Sequence, residues 1–344
     1  MRIAVCAPQV PFERGGAEIF AGDLVRALRA RDHDVDLVTV PFKWYPRERV
    51  LTQAFLWRLA DLEEANGRKI DAVVATKFPS YAVRHRNKVV WLLHQFRQAW
   101  DLDRTELGQF SESADDRALR RKVLQFERTA LGEAKKIFAT SRNVQQRLRE
   151  STGLDAELMP HPPQELAYPA GETGDFFLSV GRLAREKRND LLLEAVASDA
   201  TLQCVIVGDG PDRERLESLA RERSLNGRVT FVGRVDEDEL ARLYATCRAV
   251  YYAPVDEDFG MVPYEAFLAG KPVVTTTDAG GPLEVVEDRA TGLVTAPRAD
   301  ELARAFAWLR AHDDDARRFG SAGRDVAKGV TWDACIDRLV AAVS

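Results

Sequence analysis

The stretch DEDFGMVPYEAFLAG, residues 256–270, sets two carboxylates, Glu257 and Glu265, eight positions apart, with Phe259, Gly260 and Met261 between them. Either this is a solvated acidic turn opening an ordinary helix, or the two carboxylates stand at the mouth of a ligand cleft. The order of signals favours the second. The strand-like run AVYYAP leads into the acidic turn, and a helical pattern starts near Val262 or Pro263, where proline is tolerated. Glu265 then falls in a first helical turn, beside backbone N–H groups that lack helical partners. Asp256 and Asp258 also form an Asp-x-Asp pair that could suggest a metal, but a diphosphate met by cations and helix ends does not require one.

A second constellation lies in FFLSVGRLAREKRNDLLLEA, where Arg182 follows a strand end and a glycine, and Lys187 comes five residues later, before the next helix. That placement directs both cations to the carboxyl edge of a sheet, where open α/β folds bind ligands. An arginine fork and a lysine point charge suit a diphosphate. The alternative is that both belong, with Arg185 and Arg188, to one solvated basic turn.

Gly15 and Gly16, in PFERGGAEIF, sit in a loop just before a helix expected from about Glu18 to Arg31. Adjacent glycines let a ligand approach the backbone, and a helix start offers N–H groups to an anion; the same pair also serves as a plain turn. Gly208-Asp209-Gly210 invites a dinucleotide reading, but no third spaced glycine follows and no acidic residue ends a strand about 20 residues on. A tight strand-to-helix turn accounts for it better.

Strand-like apolar runs alternate with amphipathic helical stretches through most of the chain, the signature of parallel sheets covered on both faces. Helices are expected over 117–135, near 188–197, and over 212–223, 236–246 and 263–269. The pattern restarts after LMPHPPQELAYPAGETGD, residues 158–175, whose four prolines and two glycines read as an interdomain linker. Two Rossmann-like domains are expected: residues 1–165, completed by a C-terminal helix within 330–344, and residues 166–329. A length of 344 residues suits two cores.

The net charge of −5 hides an asymmetry: residues 1–165 hold 27 Lys and Arg against 23 Asp and Glu, and the remainder 22 against 31. No concentrated basic face marks a nucleic-acid binder. The mildly basic first half permits weak attraction to an anionic surface. Phe42, Trp44, Tyr45, Phe55 and Trp57, interleaved with Arg and Lys over 41–58, read either as packing on their own domain or as a rim for an acceptor or a lipid headgroup. No apolar run reaches the ~20 residues of a membrane span, so a cytoplasmic protein is expected, at most peripheral at the inner membrane face. Cys6, Cys204, Cys247 and Cys335 are too scattered for a zinc site or a disulfide framework and read as small buried hydrophobes.

Taken together, GGAE after the first strand, GRLAREK, FVGRV, EDFGMVPYEA, and DAGGPLEVV followed by TGLV occur in an order that resembles glycosyltransferase family 4, the retaining group with the GT-B fold. The resemblance covers nearly the whole chain. It implies two parallel-sheet domains facing a central cleft and a nucleotide-sugar donor, a UDP- or GDP-sugar, bound mainly by the second. It implies that Glu265 accepts from the ribose hydroxyls, and that Arg182 and Lys187 hold the diphosphate with help from the Gly15–Gly16 backbone. Glu257 and the backbone around Phe259, Gly260 and Met261 would hold the donor sugar, and Gly233 and Arg234 would pass along the base. His94, in VVWLLHQFRQAW, falls where the family places a histidine beside that sugar.

The acceptor would be a glycan, a lipid-linked sugar or a small molecule, with no metal or other cofactor. Departures from the family are MPHPP in place of an Asn-Gly turn and Gln95 where an acidic residue is common. Competing readings are a GT-B sugar-nucleotide epimerase or hydrolase acting without an acceptor, and a non-catalytic nucleotide-sugar-binding subunit.

Overall fold

The computed structural model describes residues 1–12, 15–106, 108–164, 166–169 and 173–343. The chain divides into two compact units, Met1–His161 with Thr331–Ser344, and Pro162–Val330. Each is built on its own six-stranded parallel sheet.

In unit 1 the strands are β1 (Arg2–Gln9), β2 (Asp34–Pro41), a small antiparallel pair β3 (Glu64–Ala65) and β4 (Arg68–Lys69), then β5 (Ala72–Ala75), β6 (Lys88–Leu92), β7 (Lys136–Ala139) and β8 (Glu157–Leu158). The sheet order is β2-β1-β5-β6-β7-β8. The helices are α1 (Gly16–Ala30), α2 (Val50–Leu59), α3 (Ala114–Gly132) and α4 (Arg142–Thr152). Side chains alternate across the sheet as a period of two requires: Ala4, Cys6, Val73, Ala75, Val90 and Leu92 join the core under α2, α3 and α4, while Ile3, Val5, Ala72, Val74, Val89 and Trp91 join the opposite core with α1. The last helix, α11 (Trp332–Val343), buries Cys335, Ile336 and Leu339 in that second core. Central β1 is buried at six successive positions, whereas β2, at the sheet edge, is mostly exposed.

Unit 2 repeats the plan with β9 (Phe177–Val180), β10 (Cys204–Val207), β11 (Val229–Gly233), β12 (Ala249–Tyr251), β13 (Val273–Thr276) and β14 (Gly292–Thr295), in the order β11-β10-β9-β12-β13-β14. Its helices are α5 (Asn189–Ser198), α6 (Arg213–Glu222), α7 (Glu237–Thr246), α8 (Val262–Leu268), α9 (Ala299–Ala311) and α10 (Asp313–Lys328). In both sheets the strand order reverses beside the first strand, between β1 and β5 and between β9 and β12. Such a switch point opens a crevice at the carboxyl ends of the strands.

Two helix starts differ from the sequence reading for local reasons. The α3 helix begins at Ala114 rather than near 117 because the Ser113 hydroxyl accepts from the Asp116 N–H at 3.1 Å, an N-cap. The α1 helix begins at Gly16 rather than Glu18, since Gly15 already supplies the carbonyl for the first helical bond, from the Ile19 N–H. Gly16 is thus a helical residue and not part of a preceding loop. All four cysteines are free and buried.

Candidate functional site

At the switch point of unit 2 the chain leaves β9 through Gly181, turns through one 3-10 segment, Arg185–Lys187, and enters α5. The Lys187 ammonium forms an ion pair with the Glu257 carboxylate, which follows neighbouring β12. The Tyr252 hydroxyl joins the pair, 3.2 Å from Lys187 Nζ and 3.1 Å from Glu257 Oε2. Burial alone would lower the Lys187 pKa, but the carboxylate of Glu257 and the phenol of Tyr252 outweigh it, so the value is raised and the ammonium stays charged. An ammonium has three donors. Two are committed here.

The acidic turn is anchored rather than solvated. The Glu257 N–H donates to Ala279 O at 2.8 Å, and the Gly281 N–H donates to Glu257 O at 2.8 Å. Gly280 has φ of 75°, and a Cβ there would stand 2.7 Å from both Glu257 N and Glu257 O; one on Gly281 would stand 2.6 Å from Asp258 O. The DAGGPLEVV segment therefore carries glycines because the 256–259 turn lies directly against it. Gly260, at φ 83°, would push a Cβ to 2.8 Å from the Tyr252 ring, the ring that backs the ion pair. Phe259 is buried and stacks on Tyr264, and Met261 packs partly buried beside them.

Glu265 lies in α8, half-buried. Its Oε2 accepts from the Tyr244 hydroxyl at 2.6 Å, and its carbonyl accepts from the Tyr168 hydroxyl at 3.1 Å. Burial raises the pKa of this carboxylate, and the Tyr244 bond works against that rise.

The basic turn does not act as one body. Arg182 is exposed and pairs with Glu186 at 2.9 Å, an environment unlike that of Lys187. Arg188 is not solvated: it reaches Ala253 O at 2.8 Å, Pro254 O at 2.9 Å, Thr276 Oγ1 at 2.7 Å and both Asp278 oxygens at 2.8 Å. It ties the Lys187 turn across the ends of β12 and β13. Gly233, with φ of 73°, ends β11, and its carbonyl accepts from the Gly208 N–H at 2.7 Å; Arg234 beyond it is exposed. Gly208-Asp209-Gly210 is a tight turn, since a Cβ on Gly208 would fall 1.9 Å from Gly181 O and one on Gly210 2.3 Å from Leu183 O.

In unit 1, Gly15 caps α1 with extended φ and its N–H donates to Glu18 Oε2 at 2.9 Å. Glu18 Oε1 accepts from Lys77, just past β5, at 3.2 Å. A Cβ on Gly16 would meet no atom of the described residues within 4 Å. His94 follows β6, half-buried, with its Nδ1–H donating to Gln95 O at 2.7 Å. The neighbouring Gln95 side chain is buried, accepts from Ser151 Oγ at 3.0 Å, and keeps its Nε2 without a partner among the described residues. The fully buried Glu127 of α3 accepts from the Phe96 N–H at 3.1 Å, from Trp100 Nε1 at 2.6 Å and from the Tyr81 hydroxyl, and so fixes the segment after His94.

The family model for Glycosyltransferase Family 4 matches residues 14–161, and that for Glycosyl transferases group 1 matches residues 166–326. The chain belongs to glycosyltransferase family 4. It is 31% identical over 170 residues to an alpha-1,3/1,6-mannosyltransferase of Dictyostelium discoideum, covering 43% of this chain and 40% of that protein. It is 36% identical over 163 residues to a GDP-mannose-dependent alpha-mannosyltransferase of Mycobacterium tuberculosis, covering 47% of this chain and 40% of the relative. The aligned part thus spans about two fifths of these relatives. Sucrose-phosphate synthase from Thermosynechococcus elongatus superposes with a TM-score of 0.81 at 23% identity, covering 100% of both chains, a likeness of fold. Both units are Rossmann-like, and the fold is GT-B.

Several residues of this family 4 chain escaped the sequence reading. Arg188 is held by Ala253, Pro254, Thr276 and Asp278, 65 to 90 positions away, which no local pattern reveals. No local spacing marks the hydroxyls of Tyr244 and Tyr252 as partners of Glu265 and Glu257. Glu18 was legible in part, since an acid three residues after a helix cap is a recognisable pattern.

Proposed function

We propose that this chain is a retaining hexosyltransferase that moves a sugar from a UDP- or GDP-sugar to a glycan, lipid-linked or small-molecule acceptor, in cell-surface polysaccharide or glycoconjugate biosynthesis. The observation that carries the reading is the Lys187–Glu257 ion pair under the Tyr252 hydroxyl, held at the switch point of unit 2 by Arg188 and the Gly280–Gly281 backbone. A permanently charged ammonium with one uncommitted donor suits a diphosphate oxygen, and Arg182 offers a second, exposed cation. Glu257 suits a sugar hydroxyl, with the Phe259, Gly260 and Met261 backbone beside it. Glu265, oriented by Tyr244, suits the ribose diol, and Gly233 with Arg234 the base. In unit 1 we assign the Gly15–Gly16 backbone to the diphosphate and His94 to the donor sugar.

Retention then follows from departure and attack on one face of the sugar. The C1–O bond to the diphosphate breaks, the acceptor hydroxyl oxygen bonds to C1, and its proton passes to the departing phosphate oxygen. Lys187 and Arg182 stabilise the negative charge that develops there. With two cations at the diphosphate, the reaction needs no metal. The mild positive charge of the first half also fits weak peripheral attachment to an anionic surface.

The test is thermal stabilisation of the purified protein by a panel of UDP-, GDP- and ADP-sugars, with GDP-mannose first because the mycobacterial relative depends on it. A ligand at about 100 times its dissociation constant adds about 2.7 kcal/mol. No stabilisation by any nucleotide sugar would overturn the reading. Donor turnover without an acceptor would point to epimerisation or hydrolysis instead.

A further inference from the structure

A surface of unit 1 combines apolar exposure with unpaired positive charge. The α2 helix buries Val50, Ala54 and Trp57 in the core, yet leaves Phe55 50%, Leu56 49% and Leu59 80% exposed. Three large apolar side chains facing outward on one ten-residue helix need an explanation that scattered surface hydrophobes do not. Beside them lies a cavity of about 350 Å³ lined by Phe55 and Phe126 and by Arg58, Arg84 and Lys122, with no carboxylate among its lining residues. Arg84 also lines a neighbouring cavity with Arg86, whose rim carries Glu63 and Glu133. Arg58 is already neutralised by Glu133. Arg84, Arg86 and Lys122 are exposed, and their side chains make no hydrogen bond or ion pair among the described residues.

We propose that this face, made by α2, the adjoining side of α3 and the Arg84–Arg86 turn, docks on an anionic lipid bilayer. A soluble phosphate would use Arg84 and Lys122 and leave Leu56 and Leu59 in water. A bilayer uses both sets at once: cations at the depth of the headgroup phosphates, and Phe55, Leu56 and Leu59 at the acyl boundary. Arg84 and Arg86 precede β6, which starts at Lys88, whereas His94 follows its carboxyl end. The Arg84–Arg86 turn and His94 thus lie at opposite ends of the same strand.

The test is flotation of the full chain with vesicles of phosphatidylcholine alone and of phosphatidylcholine mixed with phosphatidylglycerol, at low and physiological salt. Each Lys or Arg near an anionic surface is worth roughly fivefold in partition. Binding is expected only to the anionic vesicles, weakening with salt. It should fall at least tenfold in Arg84→Glu/Lys122→Glu and at least fivefold in Leu56→Ser/Leu59→Ser. Stabilisation by UDP or GDP should be unchanged in both variants, which checks their folding and separates this surface from donor binding. Absence of binding to anionic vesicles, or full binding by both variants, would overturn the proposal. So would binding that depends only on the cations and is competed away by millimolar inorganic phosphate, since that describes a soluble-anion site.

Discussion

The Tyr244 hydroxyl lies 2.6 Å from Glu265 Oε2, which leaves Oε1 as the oxygen without a partner among the described residues. If that oxygen accepts from a ribose, Glu265→Gln removes a charge-assisted bond worth ~1.5–3 kcal/mol and weakens UDP or GDP by about ten- to a hundredfold. Tyr244→Phe keeps the charge and loses only the orienting bond, so a fall of a few-fold is expected. Calorimetric titration of both variants measures this. Unchanged affinity in Glu265→Gln would return the residue to a helix-opening role.

Lys187 and Glu257 should separate in the opposite sense. Lys187→Ala removes the ammonium proposed to meet the diphosphate, and nucleoside diphosphate affinity and turnover should each fall at least tenfold. Glu257→Gln removes the counter-ion that competes for that ammonium. Free nucleoside diphosphate should therefore bind as well as to the wild type or better, while sugar transfer drops. Equal losses of diphosphate affinity in the two variants would reject this division.

The alternation of apolar runs made the two parallel-sheet units legible, because buried parallel strands leave a nearly continuous signature of Val, Ile, Leu and Ala. Glu257, Glu265 and Lys187 could be singled out because each sits just after a strand or at a helix start, positions that chain order reveals. Their environments could not be read. The partner of Lys187 lies 70 positions away, that of Arg188 lies 90 away, and Tyr244 meets Glu265 across 21. The 41–58 segment divides between the two readings offered for it: Phe42 and Trp57 are buried, while Tyr45 and Phe55 are half exposed. An interleaved aromatic pattern does not say which rings face the core.

Activity should survive EDTA. The proposed diphosphate site supplies its own positive charge through Lys187 and Arg182, and both Asp256 and Glu257 are tied by backbone bonds to the 278–279 segment. Transfer assays after chelation, with and without added Mg²⁺ or Mn²⁺, decide this. Complete loss restored by either ion would revive the Asp256/Asp258 metal reading.

Gly280→Ala should disturb the acidic turn beyond simple backbone strain. Its Cβ would stand 2.7 Å from Glu257 N and O, whereas one on Gly227, at a similar φ of 82°, would meet nothing within 4 Å. Gly280, at φ 75° and ψ −126°, lies outside the left-handed helical well in a region open almost only to glycine, so its substitution also carries backbone strain of ~1–3 kcal/mol. The excess loss of thermal stability in Gly280→Ala over Gly227→Ala then combines that strain with the contact with residues 256–258. That excess should come with reduced sugar transfer. Equal destabilisation and intact transfer would show that the turn accommodates the methyl group.

Glu127 gives a pH signature with a definite sign. Burial pushes its carboxyl up to about 7 from the ordinary 4.5, while the bonds from Tyr81, Phe96 and Trp100 oppose that rise without cancelling it. The native state therefore keeps this proton over a range in which the unfolded chain has lost it, and stability falls as pH rises wherever the native state binds more protons. The contribution is fully present below about pH 4.5 and lost as pH climbs to about 7. Other groups titrate in the same range, so the informative quantity is a difference. The melting temperature of the wild type minus that of Glu127→Gln should decline between pH 5 and 7 and level off above about 7.5, since the amide cannot titrate. Because Glu127 holds the Phe96 N–H and the Trp100 ring nitrogen, its ionisation bears on the segment that follows His94. A difference that stays flat between pH 5 and 7 would mean that Glu127 is ionised throughout that range and that its three donors outweigh burial.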